Sequence, residues 1–146
     1  MDLHRGEIYY IHFPYTFDPR YPKGKNKFVL VLQEGAIFKD YDAVTVLLIT
    51  SDRESKDFDT NVVIEKGTTK MFDESYVICA QPYTILKTLF EQENVWCAGK
   101  LSSTKMDEVD ECLYIGLCMG LQNELDSENM MPYRTEEEIA CYVDNV

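Results

Sequence analysis

The chain has 146 residues, 45% hydrophobic and 27% charged, a balance that suits a single globular domain with a core of its own. A formal net charge of −12 excludes an overall basic footprint for nucleic acid. No apolar run approaches the roughly 20 residues that span a bilayer, so no membrane association is expected.

The N-terminus, Met1-Asp2-Leu3-His4-Arg5-Gly6, has no apolar signal region, and the expected location is the cytoplasm. The five cysteines are odd in number and lack C-x-x-C or zinc-like spacing. A disulfide framework or a zinc site is therefore not expected, and no other metal or cofactor is expected either. Cys79, Cys97 and Cys112 fall among apolar residues, where a reduced thiol packs as a small core side chain.

The acidity is uneven. Residues 1–100 carry 12 Lys or Arg against 15 Asp or Glu, a net −3, whereas residues 101–146 carry 2 against 11, a net −9. The first hundred residues can face a polyanion locally; the last forty-six repel one.

In chain order, Glu7 to Phe13 is rich in β-formers and reads as a first strand, ended by Pro14. Residues 15–26 read as a loop punctuated by Pro19, Pro22 and Gly24. Residues 28–33 and 43–50 are unbroken apolar runs and predict strands buried on both faces. Shorter strands are expected over 61–65, 75–80 and 95–100, with Pro82 marking an interruption or an edge. A turn or short helical piece is expected over 85–90. Six short strands with few helices between them predict a compact, mostly antiparallel barrel or sandwich.

The pattern then changes to helical spacing. Ser102, Ser103 and Thr104 are N-cap candidates, and Met106, Val109, Leu113 and Leu117 form a stripe. Asp107, Glu108, Asp110 and Glu111 are expected in the first turns, where the helix dipole favours anions. Gly116 and Gly120 weaken the helix toward its end. Residues 1–125 thus form the main unit. Residues 126–146 form a linker and a short acidic amphipathic helix, with a capping box from Thr135 to Glu138 and a stripe of Ile139, Tyr142, Val143 and Val146. That helix is too short to stand alone and must dock on its own domain, a sister subunit or a partner.

Residues 21–33 carry Lys23, Lys25 and Lys27 on a Pro/Gly turn that runs into the second strand. Such a loop is either a solvated hairpin tip or a cationic cradle held at a fixed distance from a core.

The order Arg5-Gly6-Glu7-Ile8-Tyr9, Lys27-Phe28-Val29-Leu30-Val31-Leu32-Gln33, Ile49-Thr50-Ser51, Val63-Ile64-Glu65, Gln81 with Thr84-Ile85, Gly99-Lys100-Leu101-Ser102 and Val109-Asp110-Glu111 resembles the MazF/PemK (Kid) toxins of bacterial toxin–antitoxin systems. The resemblance covers residues 5–120. It implies a mainly β fold with a C-terminal helix: an SH3-like barrel of the MazF/PemK/CcdB type, here with an additional short amphipathic C-terminal helix. It also implies a homodimer, a cognate antitoxin as partner, and metal-independent cleavage of single-stranded RNA through attack of the 2′-hydroxyl on the adjacent phosphate.

Carried over residue by residue, the resemblance places Lys27 where the family has its catalytic Arg, with Phe28 in place of the following Pro. A lysine stabilises charge but lacks the planar fork that grips phosphate bidentately. Thr50 matches the Thr or Ser after the third strand, and Ser51 follows it. The family's Asp-Gln-x-Arg reads Ala80-Gln81-Pro82-Tyr83, and its loop carboxylate is replaced in Tyr21-Pro22-Lys23. The candidate catalytic residues are Lys27 and Thr50. Arg20, Lys23, Lys25, Ser51, Gln81 and Tyr83 are candidates for substrate binding, Tyr15 and Tyr21 for stacking, and His12 for acid–base work. With these departures, the alternative is a catalytically inactive interaction protein on the same barrel. The acidic tail has two readings of its own: an internal cover of the RNA groove, or plain packing.

Overall fold

The computed structural model describes residues 2–15 and 18–120. Seven antiparallel strands curl into a half-barrel: β1 (Glu7–Phe13), β2 (Lys25–Val31), β3 (Ala43–Thr50), β4 (Asn61–Ile64), β5 (Ser75–Ile78), β6 (Tyr83–Leu86) and β7 (Trp96–Lys100). They are followed by one helix, α1 (Ser103–Gly116). The linker and amphipathic helix expected over residues 126–146 lie outside the described residues.

The strand order is β4-β5-β3-β2-β1-β7, with β6 also paired to β3. One edge of β3 is shared: its first half pairs with β6 and its last residues, Ile49 and Thr50, with β5. Two strands on one edge bend the sheet around β3. The Lys70 N–H donates to the Ala98 carbonyl at 2.8 Å and the Leu101 N–H to the Gly6 carbonyl at 3.0 Å, bringing the segment before β5 onto β7 and the start of β1 onto its end.

Both faces of the central strands are covered, which is why β2 and β3 read as unbroken apolar runs. Ile8, Leu30, Leu47 and Ile49 face inward, where Val62, Ile64, Val77 and the Met106 and Val109 side chains of α1 meet them. The alternate residues Tyr9, Ile11, Val29, Val31, Val46 and Leu48 face the other way and pack with Ile85 and Phe90.

Four expectations are corrected. β2 begins at Lys25 rather than Phe28, because Phe13, His12 and Ile11 of β1 pair with Lys25, Asn26 and Lys27. It ends at Val31, so Leu32 and Gln33 lie outside it, although the Gln33 side chain accepts the Thr45 N–H at 2.9 Å. The turn expected over 85–90 contains a strand, β6, before a 3-10 turn, Lys87–Glu91. In α1 the first turn carries no acid, and Leu117 is the C-cap, 45% exposed, rather than part of the buried stripe.

Other features follow the local signals. Ser102 is the N-cap and its hydroxyl accepts the Lys105 N–H at 3.2 Å. Gly116 ends the helix where a Cβ would stand 2.9 Å from the Ala80 Cα, so the helix end sits directly on the β5–β6 turn. Arg5 donates to the Leu32 carbonyl at 2.9 Å and pairs with Asp110 of α1, which gives the opening Arg-Gly motif a fold-holding part.

Candidate functional site

Antiparallel pairing brings the polar end of β2 beside the end of β3. The β2–β3 ladder ends at the pair of Phe28 with Ile49, and just past it Lys27 and Thr50 both line one groove. A groove of about 430 Å³ opens there, lined by residues 25–28 of β2, residues 49–52, Tyr10 of β1, and Met71, Phe72, Asp73 and Ser75 of the segment leading into β5. Lys25, Lys27, Thr50 and Ser51 thus come together.

Lys25 and Lys27 alternate with Asn26 and Phe28, so the two pairs lie on opposite sides of the strand. Lys27 is half-buried, and burial pushes its ammonium below the usual lysine value; the neighbouring Lys25 charge adds to the shift. Lys25 stands over the Tyr21 ring, its Nζ 4.9 Å from the centroid. The Thr50 hydroxyl accepts the Asp52 N–H at 3.2 Å and keeps its own proton to donate. Asp52 caps the 3-10 turn Arg53–Asp57 by accepting the Glu54 N–H at 3.1 Å.

The remaining candidates lie elsewhere. Arg20 is exposed and paired with Asp18 at 2.9 Å, a contact that holds the Asp18 carboxyl below its usual range and raises Arg20. The Arg20 guanidinium also lies 5.6 Å from the Tyr21 centroid. Lys23 is exposed on the β1–β2 turn, and Gln81 is exposed between β5 and β6. Tyr83 packs edge-on to Phe13 at 5.4 Å, and Tyr15, 8% exposed, lies between Phe13 and Tyr21. These tyrosines form one packed aromatic group.

His12 lines an adjoining groove of about 760 Å³ with Asn26, Leu89 and Glu93. Its Nε2 donates to the Lys23 carbonyl at 2.6 Å, and its Nδ1 lies 3.0 Å from Asn26 Oδ1. The imidazole therefore pins the cationic turn to β1. Gly24 makes this possible: its φ is +79°, and a Cβ there would stand 2.6 Å from the Phe13 carbonyl oxygen and 2.7 Å from His12 Nε2. Gly24→Ala is expected to dislodge the turn and cost more than about 1 kcal/mol, read as a fall in the denaturation midpoint with an altered His12 ring resonance.

Sequence reasoning missed Tyr10, Asn26 and Asp73. Tyr10 and Asn26 enter through cross-strand register. Asp73 comes from a segment without a motif, and among the described residues no hydrogen bond or ion pair holds its carboxylate; its backbone carbonyl accepts the Ser75 hydroxyl at 3.0 Å. Cys79 is buried and its thiol is pushed up to about 12, which disfavours the nucleophilic thiolate.

The site thus sits on a small, curled antiparallel half-barrel with a terminal helix, where a cationic stretch of β2 lies beside a Thr-Ser step. The family model described as PemK-like, MazF-like toxin of type II toxin–antitoxin system matches residues 4–117, and the chain belongs to that family. Solved structures agree in fold. An endoribonuclease in complex with its cognate antitoxin, from a mycobacterial species, is 17% identical with a TM-score of 0.61, covering 80% of this chain and 96% of that one. The Mycobacterium tuberculosis toxin MazF-mt6 is 18% identical with a TM-score of 0.59, covering 77% and 96%. A MazE–MazF structure from Deinococcus radiodurans is 13% identical with a TM-score of 0.58, covering 82% and 98%. A search among curated proteins finds no match. Among the described residues, no helix is long and apolar enough to cross a membrane.

Proposed function

We propose that this chain is an endoribonuclease of the toxin class that cuts single-stranded RNA without a metal ion. The observation that carries the reading is the convergence of Lys25, Lys27, Thr50 and Ser51 on one groove in a chain of this family. In the step, the ribose 2′-oxygen attacks the adjacent phosphorus and the bond from phosphorus to the 5′-oxygen breaks. The products are a 2′,3′-cyclic phosphate and a 5′-hydroxyl.

The 2′ proton needs an acceptor: of the two carboxylates that line the groove, Asp52 already accepts the Glu54 N–H, while among the described residues the Asp73 carboxylate makes no hydrogen bond or ion pair. His12 would have to release the Lys23 carbonyl or the Asn26 side chain to serve instead. The leaving 5′-oxygen needs a proton. The Lys27 ammonium supplies it, because burial makes it a stronger acid than an ordinary lysine. Lys27 also offsets the charge that builds on the phosphoryl oxygens, and the Thr50 and Ser51 hydroxyls donate to them. Lys23 and Arg20 steer the strand toward the groove. Gln81, exposed on the β5–β6 turn, would meet a flanking nucleotide, and Tyr83 at the start of β6 would act through its packing on Phe13.

The test is cleavage of a mixed RNA pool in chelator with end-group analysis. Cyclic-phosphate ends at defined sequences support the reading. No cleavage by folded protein, full length and cut after Asp126, overturns it and favours the second reading, an inactive interaction protein. That second reading draws on Lys27-Phe28 standing where the family has Arg-Pro. Under either reading, the partners we propose are a second copy of the chain and a cognate antitoxin, in the cytoplasm. A cognate antitoxin is present in the mycobacterial complex of similar fold.

A further inference from the structure

Three aromatic side chains form a row across three adjacent strands. Tyr10 on β1 is the register partner of Phe28 on β2 and of Trp96 on β7. The ring centroids lie 4.8 Å apart for Tyr10–Phe28, 5.8 Å for Tyr10–Trp96 and 5.5 Å for Phe28–Trp96. A bulge between Ile8 and Tyr9 skips Ala98 and brings Trp96 onto the same face as Tyr10. Toward one end this face runs into the core through Ile8 and Leu30; toward the other it reaches the rim at His12 and Asn26. The row is therefore fixed from beneath and open above. Trp96 is 38% exposed, and Tyr10 and Phe28 are half-buried.

Tyr10 and Asn26 line both the groove that holds Lys27 and the wider one beside it, and Phe28 lines the first; Trp96 stands at the end of the row, in ring contact with both Tyr10 and Phe28. The rings and the lysines leave β2 on opposite sides and both border the groove at its end, which matches a nucleotide with its base unpaired that passes over the strand end: the ring face takes the base and the cations take the phosphate. Asp52, Asp73 and Glu93 line the same grooves. Their charge keeps the phosphate chain on the lysine side and leaves acceptors for base N–H groups.

We propose that the Phe28–Tyr10–Trp96 row is a stacking subsite for one unpaired base of single-stranded RNA, next to the scissile phosphate. This rests on the RNA reading above and adds to it the surface that grips the substrate. Tyr15, Tyr21 and Tyr83 are engaged with one another and with Phe13; in this row Tyr10 and Phe28 line the Lys27 groove and Trp96 is exposed beside them.

Trp96 is the chain's one tryptophan, so its emission reports this surface alone. The full chain is titrated with a short, mixed-sequence RNA whose 2′-O-methyl groups prevent cleavage. Binding is followed by Trp96 emission with unlabelled RNA and by anisotropy with a labelled copy. The expected result is quenching that saturates at the Kd found by anisotropy. Tyr10→Ala and Trp96→Ala are expected to weaken binding about tenfold or more, and Trp96→Phe to retain most of it. An abasic nucleotide at one position should reproduce the loss and add nothing to the Trp96→Ala loss.

Binding by anisotropy with unchanged Trp96 emission and unaffected variants overturns the subsite and leaves the RNA reading standing. No binding by folded wild type overturns both. Emission that changes with protein concentration before RNA is added, and not after, means that a second copy covers the row, which also overturns the proposal.

Discussion

Under the proposed function, replacing Lys27 with alanine is expected to lower the rate of RNA cleavage by about two to three orders of magnitude, the usual cost of removing one donor to a developing oxyanion. The reason is position. Lys27 and Thr50 line one groove just past the last β2–β3 pair, and no described carboxylate pairs with Lys27. A cation there is the groove's main counter to charge on the phosphate. Lys27→Arg is expected to keep part of the rate, since the guanidinium restores the charge but holds its proton too tightly to pass it to the leaving oxygen. If Lys27→Ala cleaves like wild type, the cation must come from Lys25, and Lys25→Ala becomes the deciding variant.

The same residue predicts a pH profile. Burial and the Lys25 charge depress the folded-state value of Lys27 below that of the unfolded chain. Cleavage therefore falls as pH rises through the depressed value, earlier than for an ordinary lysine. Stability moves the other way. Between the folded and unfolded values the unfolded chain binds more protons, so the cost of burying the charge is relieved as pH rises. Lys27→Arg should shift the alkaline fall in rate to higher pH and remove that rise in stability. An alkaline limb that stays in place in the arginine variant would assign it to another group.

β1, β3 and α1 were legible in the sequence because their signals are local: β-formers closed by Pro14, a run of eight that holds six apolar residues and two threonines, and a Ser cap before a helical stripe. The start of β2 was not. Lys-Asn-Lys has the composition of a loop, and only pairing with Ile11, His12 and Phe13 makes it strand. β6 was hidden behind Pro82, since what holds it is the first half of β3, about forty residues away. The site divides in the same way. Lys27, Thr50 and Ser51 sit at strand ends that the family resemblance marks, and the ladder joins them. Asp73 and the aromatic row carry no local signal, because they depend on register and on how the 71–75 segment closes over the strand ends. The tyrosines that composition put forward for stacking are bound up in packing around Phe13.

Phe90→Ala is expected to remove about 3–5 kcal/mol of stability, a large share of the roughly 5–15 kcal/mol that holds a domain of this size together. Phe90 is 1% exposed and meets Tyr9 edge-on, 5.4 Å between centroids. It is the buried residue of the 3-10 turn Lys87–Glu91, and it seats that turn against the outward-facing side chains of β1–β3. α1 covers the inner face, so this turn and β6 are what shield the outer one. Truncating Phe90 leaves a cavity under Tyr9, and the backbone bonded on both sides cannot collapse to fill it. The check is urea denaturation followed by Trp96 emission, with Phe90→Leu as a milder companion. A fall in midpoint at constant slope is the expected signature. Where the variant is still folded, cleavage should stay near the wild-type rate, because Phe90 does not line the Lys27 groove. A loss under about 1 kcal/mol would mean that the sheet's outer cover does not depend on this turn.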